Sequence, residues 1–381
     1  MTRALACCIL CLVGAPATLA QGVGVGTRVD LTDSLLLNRA GGQFAQLFVP
    51  DYFQPPGDGD VLLVVHLHGA SWAAENQVYK ARANAALVNI HLGALSSPYQ
   101  NYFSDQSRFA AILDVALRQL ATLGIVAAPR LGWLIVTSFS AGYAGVREVL
   151  KNPAYYARLD ALTLADGLHC SSDPSLMAAQ MADFLRLARD TAAGRKVMLL
   201  THSSIKTVGY QSTTQTADYL LAGIGAQRLP CSLTDDIGVQ YSRCDTGQFH
   251  LRGYLGETAD DHMKHLYAMD KMLVQACEIL GLRAASAPEG WLPESSPLAV
   301  QVYPNPSNPY ATFRCQVPMP GPMRLTVFNV LGQQVFTRED SYVPAGYAEV
   351  VWKPGILPAG VYTYRLQACG KTAVGHCVLL R

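Results

Sequence analysis

Short apolar runs alternating with longer helical patterns fill residues 22–283, and they leave few folds open. "DVLLVVHLHG", "ALVNIHLG", "GWLIVTSFS", "LDALTLADG" and "KVMLLTHSS" each have the length of one strand. A strand apolar at nearly every position is covered on both faces, as in parallel sheets. Between the runs lie "SDQSRFAAILDVALRQLATLG", "AGYAGVREVLKN" and "PSLMAAQMADFLRLARDTAAG". These space their apolar residues as helices do, and some carry Ser, Asp or Pro starts and Gly stops. The alternation predicts an α/β fold: a mostly parallel sheet with helices on both faces. "GGQFAQLFVPDYF" reads as an antiparallel lead-in strand.

The pattern changes after residues 284–297, "AASAPEGWLPESSP", a linker without periodicity. Beyond it, "MRLTVFNVLGQQVF", "GYAEVVWKP" and "GVYTYRLQA" are short strands with partial period-two alternation and Gly/Pro turns. They predict a small antiparallel β-sandwich over residues 298–381. The chain's 381 residues, 50% of them apolar, suffice for one large core and this smaller module. A formal net charge of +1 without a basic block argues against a nucleic-acid or anionic-membrane partner.

Residues 1–20 read as an export signal. Arg3 gives a positive start, Ala4 to Val13 form a short apolar core, and "ATLA" ends at a cleavable Ala20. The run is too short to span a membrane. Cleavage leaves Cys170, Cys231, Cys244, Cys277, Cys315, Cys369 and Cys377 for an oxidising compartment. Cys231 with Cys244, and Cys315 with Cys369 or Cys377, are the pairings considered. None has metal-site spacing.

Open α/β sheets present ligands at the carboxyl ends of their strands. The residues just after the apolar runs are therefore the informative ones. After "VLLVV" come His66, His68, Gly69, Ala70 and Ser71; after "GWLIVT" come Ser138, Phe139, Ser140, Ala141 and Gly142. Asp166 and Gly167 follow "LDALTLA", with His169 close behind, and "ETADDHMKHL" carries His262 and His265. In chain order these offer serine, carboxylate and histidine. A serine hydroxyl needs an imidazole to take its proton, and the imidazole needs a carboxylate to fix its tautomer. A nucleophile on a tight strand-to-helix turn needs small residues two places before and after it, here Ser138 and Gly142. The helix starting near Ala141 would aim backbone N–H groups at an oxyanion.

With "VVHLHGAS", "SFSAGYAG", "LADGLH" and "DHMKHL" in that order, residues ~40 to 283 resemble a secreted α/β-hydrolase. The resemblance is to the esterase group that includes polyhydroxybutyrate-depolymerase-like and feruloyl-esterase-like enzymes. It implies hydrolysis of an ester substrate, small or polymeric, through an acyl-enzyme and without a cofactor. The expected roles are Ser140 as nucleophile, His262 as general base and acid, Asp166 as orienting acid, and the N–H groups of Ala70 and Ala141 as oxyanion donors. The run "KVMLLTHSSIKTVGY", where many of these enzymes keep their acid, has no Asp or Glu. Asp166 is preferred over Asp218, Asp173 or Asp236. His265, one turn beyond His262, is the alternate base, and Asp260 and Asp261 are expected to cap their helix. His68, Ser71, His169 and the loop aromatics Tyr99, Tyr102 and Phe103 are expected near the pocket.

"VYPNPSNPYATFRCQVP", "LTVFNVLGQQV", "LPAGVYTYRLQA" and "CVLLR" closely resemble the C-terminal sorting domain of type IX secretion substrates, which is similar to an Ig-like module. That resemblance implies handling by the type IX export machinery and a secreted or cell-surface location. Two other readings remain: a metal-dependent hydrolase or amidase using the histidines of "HLH" and "DHMKH", and a non-catalytic surface protein on a hydrolase fold.

Overall fold

The computed structural model describes residues 25–31, 44–282, 298–317, 321–343 and 346–380. The expected export signal (1–20) and linker (284–297) lie outside the described residues. In chain order the first part runs β1 (Gly26–Asp30), β2 (Ala45–Pro50), β3 (Asp60–Leu67), α1 (Ser71–Ala81), β4 (Ala85–Ile90), α2 (Ser96–Phe103), α3 (Ser107–Thr122) and β5 (Arg130–Phe139). It continues through α4 (Tyr143–Leu150), α5 (Pro153–Arg158), β6 (Ala161–Ala165), β7 (Cys170–Ser171), α6 (Pro174–Ala192), β8 (Val197–His202), β9 (Tyr210–Gln211) and α7 (Thr213–Ile224). It closes with β10 (Leu229–Thr234), β11 (Val239–Thr246), β12 (Phe249–Tyr254), α8 (Ala259–Tyr267) and α9 (Met269–Ile279).

Ten strands form one sheet in the order β1-β2-β4-β3-β5-β6-β8-β12-β11-β10. Strands β4, β3, β5, β6, β8 and β12 run parallel, and antiparallel strands close both edges. The strand period of two sorts each apolar run onto two faces. Val61, Leu63, Val65 and Leu67 join a core with Phe103, Phe109, Val146, Phe184 and Leu220, from α2, α3, α4, α6 and α7. Leu62 and Val64 point the other way, into a core with Ala74 and Val78 of α1 and Met272 and Leu273 of α9. Helices therefore cover both faces. The order reverses at β3, with β4 on one side and β5 on the other, so a crevice opens at the carboxyl ends of β3 and β5.

The remaining strands are β13 (Ala299–Tyr303), β14 (Ala311–Val317), β15 (Gly321–Phe328), β16 (Gln334–Val343), β17 (Gly346–Trp352), β18 (Gly360–Ala368) and β19 (Lys371–Leu379). They make a three-stranded sheet, β13-β14-β17, and a four-stranded sheet, β16-β15-β18-β19. Phe313, Cys315 and Trp352 from the first share one core with Leu325, Val327, Tyr362 and Leu366 from the second.

Some local expectations change. The helix expected from Asp260 onward is two helices meeting at Ala268, and its cap is Thr258, whose hydroxyl accepts from the Asp261 N–H in a capping box. Asp261 shares in the cap as expected, its carboxylate accepting from the Thr258 N–H at 3.1 Å, while Asp260 lies inside the first turn. The stretch around Tyr99 is helix α2. Tyr99 and Phe103 are buried in the core, and Tyr102 packs edge-on against Phe44 and Phe103. Cys170, Cys231, Cys244, Cys277, Cys315 and Cys377 are free thiols, so neither Cys231 with Cys244 nor Cys315 with Cys369 or Cys377 is paired. The β10–β11 register sets Leu233 against Gln240 and Leu229 against Arg243, and Cys231 Sγ meets Gln240, not Cys244.

Candidate active site

Three non-glycine residues at the crevice hold left-handed backbone: His68 after β3 (φ 74°), Ser140 after β5 (φ 45°) and Asp166 after β6 (φ 40°). Such torsions are unfavourable for L residues and persist only where the surroundings impose them. Ser140 opens a single 3₁₀ turn, Ser140–Gly142, that leads directly into α4. Gly142 is required there: a Cβ would overlap the Leu67 carbonyl and crowd Ser138 Oγ. Ser138, where a glycine would be more permissive, is fully buried, and its hydroxyl has no hydrogen-bond partner among the described residues.

The turn after β6 packs against the turn after β5. A Cβ on Gly167 would overlap the backbone N, Cα and O of Ser140. Asp166, 2% exposed, spends both carboxylate oxygens. Oδ2 accepts from His262 Nδ1 at 2.7 Å, while Oδ1 accepts from the Ser203 N–H at 2.9 Å and from the Thr213 hydroxyl at 2.8 Å. Burial alone would raise the Asp166 pKa. The His262 hydrogen bond, the nearby His265 and His262 charges and the Ser203 N–H outweigh it and hold the carboxyl well below the usual carboxylate range.

His262 stands in the first turns of α8 with its side chain 24% exposed. Donation from Nδ1 leaves Nε2 of the neutral ring as an acceptor. Its ring lies 4.5 Å from that of Phe139, the residue before Ser140. The structure thus gathers Ser140, Asp166 and His262 at one edge of the sheet. Ser140 Oγ makes no hydrogen bond to another described residue, and such bonds are often long before substrate binds.

His265, one turn on, is 1% exposed and hydrogen-bonds the Thr201 hydroxyl through Nδ1 at 2.8 Å. Burial pushes its pKa down to about 4. Asp218 is elsewhere, at the surface with Arg228 at 2.6 Å. Asp173 caps α6, and Asp236 pairs with Lys271.

Ala70 immediately precedes α1 and is exposed. Ala141 is the second residue of the 3₁₀ turn, among the N–H groups that a helix start leaves without an internal acceptor. Ala70 and Ser71 border a cleft of about 320 Å³ together with Asp30, Phe44, Gln46 and His91. His68 Nδ1 hydrogen-bonds the Tyr99 hydroxyl at 3.0 Å. Burial and the neighbouring His91 push the His68 pKa down to about 4. His169 donates from Nδ1 to the Gln211 carbonyl at 3.0 Å, its ring between Tyr143 and Tyr210. His66 is committed at both nitrogens, with Nε2 donating to the His68 carbonyl and Nδ1 accepting from Thr137. Among the described residues no group of three or more His, Cys, Asp or Glu is placed to hold a metal ion.

The sequence reading missed Thr213 and the Ser203 backbone, which complete the Asp166 shell. A backbone N–H leaves no side-chain signature, and Thr213 reads only as a helix start.

Strand order and helix placement make the first part an α/β-hydrolase fold, followed by an all-β part. Residues 301–379 of that second part match the family model of the secretion system C-terminal sorting domain. The match marks the protein for type IX secretion, to the cell surface or the medium. No curated protein matches the chain. Among solved structures the chain is similar to PorZ, a surface component of the type IX secretion system of Porphyromonas gingivalis (17% identity over 22% of this chain, TM-score 0.17). The chain spans only 12% of the length of that component. It is also similar to a cold-adapted esterase from an Arctic intertidal metagenomic library (12% identity, covering 66% of this chain and 92% of that one, TM-score 0.35). A third is the feruloyl esterase module from Clostridium thermocellum (10% identity, covering 68% and 92%, TM-score 0.37). Among the described residues no helix is long and apolar enough to cross a membrane.

Proposed function

We propose that this protein is an exported serine hydrolase that cleaves carboxylic esters through an acyl-enzyme. Residues 21–283 form its catalytic domain, 284–297 its linker and 298–381 its sorting domain. The observation that carries the reading is the 2.7 Å bond from His262 Nδ1 to an Asp166 whose turn packs against the backbone of Ser140. Ser140 Oγ attacks the ester carbonyl as His262 Nε2 takes its proton. Asp166 stays ionised, fixes the His262 tautomer and balances the imidazolium. The N–H groups of Ala70 and Ala141 receive the oxyanion. The imidazolium returns the proton to the departing alkoxide, and the same residues then activate water to release the acid. An acid quench within the first turnover of a p-nitrophenyl ester should trap the acyl group on Ser140, read by peptide mass spectrometry. Turnover without that adduct, abolished by a chelator, would contradict the reading.

A further inference from the structure

We propose that Thr213 is a positioning residue for the Asp166–His262 pair, its hydroxyl holding the carboxylate that orients His262. The inference rests on the serine-hydrolase reading above. Asp166 follows β6, whereas the shell that holds it comes from the end of the neighbouring strand β8 and the start of α7. Ser203, directly after β8, gives its N–H to Oδ1, and Thr213, the first residue of α7, gives its hydroxyl to the same oxygen. Oδ2 is left to His262 alone among the described residues.

The support is itself tied down. The Ser203 carbonyl accepts from His202 Nδ1 at 2.8 Å and from the Thr214 hydroxyl at 3.1 Å. His202 Nε2 accepts from Arg228 at 2.7 Å, and this fixes the ring with its proton on Nδ1. Thr213 is held by the α7 capping box, in which the Ser212 hydroxyl accepts from the Gln215 N–H and the Gln215 side chain accepts from the Ser212 N–H. Thr213 is itself buried, so its hydroxyl has little access to water in exchange for Asp166. A carboxylate on a left-handed turn has no regular secondary structure to fix it. Two donors on one oxygen select one rotamer and aim the other oxygen at His262.

The titratable groups facing Asp166 are His262 and His265 of α8, His169 after β6 and His202 at the end of β8. Thr213→Val leaves all four in place and removes one donor. The carboxylate becomes a stronger base, so the coupled pair holds its proton more tightly and the acid limb of the kcat/KM profile moves to higher pH. Looser aim lowers kcat without a change in substrate contacts.

The test compares the wild type, Thr213→Val, Thr213→Ala and Thr213→Ser with a p-nitrophenyl ester from pH 5 to 9, with thermal melts to show folding. The expected result is a roughly tenfold fall in kcat for the two hydroxyl-free variants. KM should hold, the acid limb should shift upward, and Thr213→Ser should restore both. A folded Thr213→Val or Thr213→Ala with a wild-type profile would overturn the inference. So would a Thr213→Ser variant as impaired as the valine. Wild-type turnover that survives Ser140→Ala would instead overturn the parent reading, and this inference with it.

Discussion

The α/β part and the all-β part spend their irregularities differently. In the first, three of the four described left-handed non-glycine residues stand at the carboxyl ends of β3, β5 and β6, beside the buried polar groups Asp166, His202, Ser203, Thr213 and His265, and the fourth, Arg82, ends α1. In the second, the described left-handed non-glycine residue is Cys369, which with Gly370 makes the two-residue turn of the β18–β19 hairpin. That geometry is ordinary for such a turn. The buried side chains of the all-β part are mainly apolar, built around Phe313, Trp352, Tyr362 and Leu366. Strain and buried polarity are costly, and three strained turns with five buried polar groups meet where the proposed chemistry lies.

Disrupting each region should therefore give opposite results. The largest effect on turnover is expected from His262→Gln, a loss in kcat of about 10⁴-fold. His265→Gln should stay within about tenfold of wild type in the same p-nitrophenyl ester assay while lowering the melting temperature, because His265 serves packing and Thr201. Equal losses from the two histidines would erase the distinction between them.

Gly167→Ala comes next. Its Cβ must force the β5 and β6 turns apart, and a loss in kcat/KM of about 100-fold is expected with the sandwich unaffected. Wild-type kinetics would show that the two turns do not depend on each other.

Acid should also separate the two parts. Burial pushes the pKa of His66 down to about 3, and burial with neighbouring charges pushes His68, His202 and His265 down to about 4, from a usual 6.5. Each is neutral when folded and takes a proton when unfolded. Stability is full above about pH 6.5 and falls as pH drops from there toward 4. The Asp166 carboxyl is also shifted down, so its contribution is fully present above the usual carboxylate pKa of about 3.9 and is lost only in stronger acid. Calorimetry should show the transition of the α/β part falling by about 10 °C between pH 7 and pH 5. The sandwich transition should move less, and a larger shift there would break the comparison.

The smallest effect on turnover belongs to Trp352→Ala. It should destabilise the sandwich by about 3–5 kcal/mol yet leave ester turnover within twofold. A matching loss of activity would mean that the sorting part supports the site.

Much of this contrast can be read from the sequence. A strand buried on both faces leaves a continuous apolar run, so β3, β4, β5, β6 and β8 stand out, and their terminal residues mark the crevice. Ser140, Asp166 and His262 are readable as candidates because serine, carboxylate and histidine are the side chains that acyl transfer uses. Strands β10 and β11 are not readable, since β10 exposes Leu229 and Leu233 and β11 buries the polar Gln240 and Ser242 while exposing Val239. The core role of Tyr99 and Phe103 is hidden because an aromatic in a loop-like stretch has the same signature in a pocket or a core. The break at Ala268 escapes because no Gly or Pro marks it.

The central claim is that Ser140 is the nucleophile. Reaction of the full-length protein with a fluorophosphonate probe tests it most directly. The account predicts stoichiometric labelling of the wild type on Ser140, and none in a folded Ser140→Ala variant. An unlabelled wild type that still hydrolyses esters, or a label carried by another residue, would contradict it.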